Sequence, residues 1–196
     1  LDIGMTTEKD RPEEVPRLVS KLREKFDVPL SIDTTNESEI KKALDAGIDL
    51  IVSINGSTVD NFEKLKVPAV LIPRNPDEDY YPKNPEERID YLKRLIEKAE
   101  QLGYKMPLAD PILEPIGQGF ADSIAAFHKL RSNEPEVPLF MGIGNVVELM
   151  DADSIGTTAT LVGLANEIGV NFVLCVEASD KTRGNVSEVA RARDMM

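Results

Sequence analysis

Short apolar runs alternate with amphipathic segments along the whole chain. The runs are rich in Ile, Val, Leu and Ala, as buried strands are, and the segments between them repeat apolar residues at helical spacing. Regular alternation of this kind is typical of parallel βα units. The runs that we predict as strands are Leu1–Gly4, Pro29–Asp33, Leu50–Ile54, Ala69–Ile72, Met106–Ala109, Leu139–Gly142 and Phe172–Val176.

The amphipathic segments each predict a helix with one buried face. Asn84 before Pro85 predicts a helix start, because asparagine caps helices and proline fits the first helical turn. Gly47 and Gly103 stand where a helix end favours a left-handed residue. The five predicted faces are Val15, Leu18, Val19, Leu22 and Phe26; Ile40, Ala43 and Leu44; Ile89, Leu92, Ile96 and Ala99; Ile124, Phe127 and Leu130; and Leu161, Leu164 and Ile168.

This order of elements favours an α/β fold of the (β/α)8 TIM barrel type over a doubly wound sheet. A doubly wound sheet needs a reversal of strand order, and the pattern shows none. We expect the first βα unit before Leu1, so that residues 1–196 form a single domain within a longer chain. Barrel sites lie at the carboxyl ends of strands. The polar residues at or just after those ends, which we expect to converge, are Asp33, Asn55, Asp110, Asn145 and Glu177.

Composition narrows the choice of partners. The 196 residues are 41% hydrophobic, enough for one well-buried core, and the net charge is −12. That charge argues against nucleic acid and anionic membranes, because binding phosphates requires a basic surface. No apolar run approaches the ~20 residues that cross a bilayer. We therefore predict a cytoplasmic protein and expect the lone Cys175, in an apolar run, to be a buried core thiol.

The chain lacks the residues that several kinds of catalytic or cofactor site require. No predicted strand ends in a lysine, so Schiff-base catalysis has no nucleophile. The single histidine, His128, falls inside a predicted helix, which argues against triad hydrolysis and against a histidine metal centre. The segment Gly142-Ile143-Gly144-Asn145 lacks the third glycine of a dinucleotide site. We predict no metal held by side chains alone.

Carboxylates and amides remain at the strand ends. Asp33 or Asp110 offers two acceptor oxygens, which suit the adjacent N–H groups of a 2-amino-4-oxo pyrimidine ring. Asn55 and Asn145 each offer a donor and an acceptor for a mixed heterocycle. Structural roles stay open for the same residues, because aspartates also cap the segment that follows and asparagines also make turns.

The motifs that surround these residues resemble those of one family. They are Asp2-Ile3-Gly4-Met5-Thr6-Thr7, Ser31-Ile32-Asp33-Thr34, Ile54-Asn55-Gly56, and Asp110-Pro111 followed by Gly117-Gln118-Gly119-Phe120. The chain resembles the pterin-binding barrels, which include dihydropteroate synthases and corrinoid-linked methyltransferases. Segments Phe140–Asn145 and Met150–Gly156 look most like archaeal proteins related to dihydropteroate synthase. The resemblance implies that Asp33, Asn55 and Asp110 hold a reduced pterin.

The chain departs from the synthases at two strand ends. Their Ser-Arg-Lys is replaced by Gly144-Asn145-Val146, similar to the methyltransferases, which implies that Asn145 contacts the pterin and serves as a catalytic group. Their Arg-x-His is replaced by Glu177-Ala178-Ser179-Asp180. The candidate contacts for an anion or a second substrate are then Thr6, Thr7, Lys181 and Arg183.

The resemblance implies a transferase similar to dihydropteroate synthase, in folate or methanopterin metabolism, with a pterin substrate and Mg²⁺ beside its diphosphate. Two alternatives stay open. One is methyl transfer from a methylated tetrahydropterin to a corrinoid protein, and the other is a noncatalytic pterin-binding domain. Barrels of this family commonly pair, so a homodimer is expected.

Overall fold

The structure is a computed structural model that describes residues 1–6 and 9–196. Its strands all fall within the runs predicted from sequence. They are β1 Asp2–Gly4, β2 Ser31–Asp33, β3 Leu50–Ile54, β4 Ala69–Leu71, β5 Pro107–Ala109, β6 Phe140–Gly142 and β7 Phe172–Leu174.

Helices follow the predicted amphipathic segments, with two additions near the carboxyl end. They are α1 Val15–Arg23, α2 Glu37–Asp45, α3 Pro85–Gln101, α4 Phe120–Asn133, α5 Gly144–Val147, α6 Ser154–Ile168 and α7 Asn185–Met195. The Asn84 carboxamide accepts a hydrogen bond from the Glu87 N–H at 2.8 Å, which confirms the predicted cap of α3. Gly47 and Gly103 adopt φ values of 83° and 79°, as predicted for helix ends.

Two compact units make up the described residues. The first unit comprises Leu1–Tyr81 with Leu92–Leu108, and the second comprises Pro82–Tyr91 with Ala109–Met196.

The larger sheet has the order β1-β2-β3-β4-β5. Strands β1 to β4 pair in parallel, with Gly4 opposite Asp33 and Asp33 opposite Val52. Because successive residues of a strand face opposite sides, Ile3 and Ile32 are buried on one face. The other face carries Asp33 at the carboxyl end of β2.

One predicted helical face is shorter than expected. Helix α1 ends at Arg23, and Phe26, which we had placed on its buried face, is 46% exposed. The helix gives way to a turn after Arg23, so that Phe26 lies beyond the helix end, although its N–H still donates to the Leu22 carbonyl at 2.9 Å.

In the second unit, β6 and β7 form a parallel pair, and the side chains of Phe127 in α4 and Leu161 in α6 are buried. Cys175 is only half-buried, so the prediction of a core thiol was wrong. The residue follows β7, whose first residue Phe172 is 44% exposed, so its apolar surroundings cover it incompletely. No helix in the described ranges is long and apolar enough to span a membrane.

Candidate functional site

Asp33 is held by a strained residue of the neighbouring strand. Its Oδ1 accepts a hydrogen bond from the Ser53 hydroxyl at 2.6 Å. Ser53 has φ 75° and lies at the register shift of β3 between Ile51 and Ile54. Such a conformation costs a residue other than glycine about 1–3 kcal/mol, so the surrounding structure must enforce it. The distortion turns the hydroxyl toward Asp33.

Asn55 follows β3 and is fully buried, with 0% of its surface exposed. Its Oδ1 accepts from the Ser57 N–H at 2.9 Å, and its own N–H donates to the Thr58 hydroxyl at 3.0 Å. Its amide Nδ2 is buried and has no hydrogen-bond acceptor among the described residues. One end of the side chain thus makes the turn that the sequence allowed, while the other is a donor with no acceptor in the described ranges.

Sequence reasoning assigned no separate role to Asp2 and Ser53. The Ser31 hydroxyl donates to Asp2 Oδ1 at 2.5 Å, and the register of β1 and β2 puts Asp2, Ser31 and Asp33 on one face. The signal for Asp2 was the alternation of polar residues in two adjacent strands. Nothing in the sequence signals the distortion at Ser53.

Asp110 follows β5 in the second unit and is 8% exposed. Its Oδ1 accepts from the N–H of Ile112 at 2.8 Å, and Ile112 has φ 67°. Asp110 therefore makes a tight turn with the residue two positions on. This is the structural role that the sequence left open for the aspartates. The turn also fixes the direction of the carboxylate.

Asn145 lies in the short helix α5 and is exposed. Its Nδ2 donates to the carbonyl oxygen of Leu113 at 3.0 Å. The second unit thus joins Asn145 to the loop that begins at Asp110.

The candidate anion contacts are mostly engaged elsewhere. Thr6 is exposed and donates to the Lys9 carbonyl at 3.4 Å, and Thr7 lies outside the described residues. The Lys181 amine donates to the Met150 carbonyl. Arg183 is exposed and pairs with Asp180 at 3.4 Å.

A carboxylate occupies the start of α7. Glu177 Oε1 accepts from the Val186 N–H at 3.0 Å. The backbone N–H groups of Val186 and Gly184 hold the pKa of the Glu177 carboxyl below its usual range. The positive end of the helix is therefore matched by a charge from the chain itself.

Metal-binding side chains do not cluster in the part of the chain that the structure describes. No three His, Cys, Asp or Glu residues of those ranges gather so as to hold an ion.

Comparison with known proteins identifies relatives. The family model described as pterin binding enzyme matches residues 1–163. An uncharacterized protein of Methanocaldococcus jannaschii is 34% identical over 100% of this chain, and a dihydropteroate synthase of Clostridium beijerinckii is 29% identical over 81% of it. The chain spans 38% of the first protein and its match covers 64% of the second.

Solved structures show the same fold. Dihydropteroate synthase of Xanthomonas albilineans, in complex with indole-2-carboxylic acid and 6-chloroguanine, matches 100% of this chain and 77% of its own, with a TM-score of 0.74 and 24% identity. The Yersinia pestis enzyme with a pterine-sulfa conjugate matches 99% and 81%, with a TM-score of 0.72 and 19% identity. These likenesses confirm the predicted α/β fold of the (β/α)8 barrel type.

Proposed function

Because the chain belongs to the family of pterin binding enzymes, related to dihydropteroate synthase, we propose that it binds a reduced pterin and acts as a transferase in folate or methanopterin metabolism. The observation that carries the proposal is the buried Nδ2 of Asn55, which has no acceptor among the described residues. Leaving such a donor unpaired costs about 1–3 kcal/mol. A pterin ring offers acceptor nitrogens and a carbonyl oxygen that would satisfy it.

Two carboxylates complement this donor. In the proposal, Asp33 and Asp110 each act as an acceptor for N–H groups of a pterin. Each already has one oxygen fixed, by Ser53 and by Ile112, so the direction of each carboxylate is set before a ligand arrives. Preorganised acceptors of this kind strengthen binding because less freedom is lost. Asn145 is proposed as the fourth pterin contact.

The first candidate reaction is that of a dihydropteroate synthase. An arylamine nitrogen displaces diphosphate from the methylene carbon of a pterin methyl diphosphate, so that a C–N bond forms and a C–O bond breaks. Negative charge builds up on the leaving group and requires positive groups nearby. Lys181, Arg183, Thr6 and Thr7 remain the proposed contacts for this anion, and Lys181 must first release the Met150 carbonyl.

The second candidate is methyl transfer, which is favoured by the segment Gly144-Asn145-Val146 in place of the Ser-Arg-Lys of the synthases. A methyl group would pass from N5 of a tetrahydropterin to the Co(I) centre of a corrinoid protein, whose electron pair forms the new bond while N5 keeps the pair of the broken one. The Asn145 amide would polarise N5. A carboxylate at the start of α7, in place of a bound anion, is also consistent with a substrate that lacks diphosphate.

We further propose that residues 1–196 form one pterin-binding domain of a cytoplasmic protein that pairs as a homodimer. A domain that binds pterin without catalysis is the remaining alternative. Size-exclusion chromatography with light scattering tests the dimer directly.

Calorimetric titration with 7,8-dihydropterin tests the shared part of the proposal. Asn55→Asp keeps the oxygen that accepts from Ser57 but removes the donor, and is expected to weaken binding about 5- to 150-fold, as loss of a buried hydrogen bond does. Asn36→Asp is the matched control. Asn36 Oδ1 accepts from the Glu39 N–H at 3.0 Å at the start of α2, so the change leaves the cap in place and binding intact.

Activity assays separate the candidate reactions. Product formed from a pterin methyl diphosphate and 4-aminobenzoate supports the synthase. Demethylation of a methyl-tetrahydropterin that depends on a Co(I) corrinoid protein and is lost in Asn145→Ala supports the methyltransferase. No heat of binding from wild type with any reduced pterin would overturn the proposed function.

A further inference from the structure

Arg88, near the start of α3, is a buried arginine that binds the loop after β5. It is 1% exposed. Its Nη1 donates to two carbonyl oxygens, that of Pro111 at 3.1 Å and that of Ile112 at 2.8 Å. Its Nε donates to the Pro82 carbonyl at 3.1 Å and its Nη2 to Glu114 Oε1 at 2.7 Å. A guanidinium stays charged when buried, so it requires such a set of acceptors.

The two carbonyls on Nη1 belong to the peptide groups on either side of the Ile112 Cα atom. Ile112 is β-branched and has φ 67°, a conformation that such residues rarely adopt. Holding both carbonyls fixes the orientation of both peptide groups, and thereby the strained φ between them. The same orientation directs the Ile112 N–H to Asp110 Oδ1 at 2.8 Å.

We propose that Arg88 is a positioning residue for Asp110. This inference rests on the proposed function, in which Asp110 accepts hydrogen bonds from the pterin. Arg88 stabilises the left-handed Ile112, Ile112 donates to the carboxylate, and the carboxylate keeps one direction. Without the two hydrogen bonds from Arg88 Nη1, Ile112 relaxes to an ordinary φ and its N–H turns away. Asp110 then loses its fixed orientation.

The test uses Arg88→Lys, Ile112→Gly and the double variant. Lysine keeps the charge but cannot hold two carbonyls in the planar geometry of a guanidinium. We expect Arg88→Lys to raise the dissociation constant for 7,8-dihydropterin about tenfold or more. Glycine adopts positive φ without strain. In the Ile112→Gly background, the same Arg88→Lys change is therefore expected to raise the dissociation constant by no more than about threefold.

Arg131 provides a matched control. It also binds backbone oxygens, with its Nη1 on Pro135 at 2.6 Å and its Nη2 on Gly169 at 2.7 Å. These acceptors precede β6 and β7, far in sequence from the Asp110 turn. Arg131→Lys is expected to lower the melting temperature and to leave pterin affinity within about twofold of wild type.

Amide hydrogen exchange without ligand tests the turn independently. Arg88→Lys is expected to speed exchange of the Ile112 N–H at least tenfold, and Arg131→Lys to leave it unchanged. Unchanged exchange at Ile112 overturns the inference, as does wild-type affinity in Arg88→Lys. If wild type binds no pterin but Arg88→Lys speeds exchange of the Ile112 N–H as expected, the proposed function is wrong. The inference that Arg88 stabilises the turn is then still supported.

Discussion

Replacing Asn55 with leucine should scarcely change, or should raise, the stability of the ligand-free protein. Leucine has the same branching, with methyl groups in place of Oδ1 and Nδ2. The change removes the hydrogen bond from the Ser57 N–H, which is worth about 0.5–1.5 kcal/mol. It also removes the buried Nδ2 that has no acceptor in the described residues, whose penalty is about 1–3 kcal/mol. The expected difference in the free energy of unfolding lies between about 0.5 kcal/mol against the variant and about 2.5 kcal/mol in its favour.

Asn185 is the matched control for this change. It too is 0% exposed, but its Oδ1 accepts from the Thr158 hydroxyl at 2.6 Å and its Nδ2 donates to the Val176 carbonyl at 3.1 Å. Asn185→Leu breaks both bonds and leaves the buried Thr158 hydroxyl without that acceptor, at a cost of about 2–4 kcal/mol.

Urea unfolding, extrapolated to water, measures both variants, and titration with 7,8-dihydropterin measures what Asn55→Leu loses in binding. The two equally buried asparagines are thus expected to respond differently to the same substitution. If Asn55→Leu destabilises the protein as much as Asn185→Leu does, the Asn55 amide carries no unmet hydrogen bond and the main support for the pterin site is lost.

Three further changes have expected outcomes. Glu177 has a lowered pKa because backbone N–H groups hold its charged form, so it stabilises α7 above the ordinary glutamate pKa and ceases to do so as pH falls through its own. Glu177→Gln should lower the melting temperature at pH 7, and its difference from wild type should shrink as pH falls through the lowered pKa. Burial and the charge of Glu177 raise the pKa of Cys175, so iodoacetamide at about pH 8 should alkylate it more slowly than free cysteine, and faster in Glu177→Gln. Phe127 is 0% exposed, and Phe127→Ala should reduce the free energy of unfolding in urea by about 3–5 kcal/mol.

The apolar runs predicted every strand of the described residues, because a parallel strand that is buried on both faces consists mostly of apolar residues. Helix caps and the glycines at helix ends could be predicted equally well, because only a few residue types favour these positions. Phe26 and Cys175 were misplaced for a shared reason. An apolar residue at the edge of an element is buried only if another element covers it, and one segment of sequence does not show what covers it.

The site was less predictable than the fold. The polar residues at strand ends could be named, because barrel topology puts chemistry there. Their hydrogen-bond partners could not, because Ser53 and Ile112 are residue types that ordinarily avoid positive φ. The link from Asn145 to Leu113 was equally invisible, since a side-chain bond to a carbonyl 32 positions away follows only from the folded loop.

Four residues other than glycine have positive φ in the described part of the chain, and they differ in what the conformation achieves. Lys64 and Asp79 are exposed polar residues, and aspartate is one of the residue types that tolerate the left-handed conformation. Ser53 and Ile112 each donate a hydrogen bond to an aspartate that sequence alone had marked as a pterin contact. One uses a hydroxyl and the other a backbone N–H, so no shared motif explains the coincidence. Strain retained beside a functional carboxylate is expected where the direction of that carboxylate matters more than local stability. Pterin affinity should therefore depend on residues that never contact the ligand.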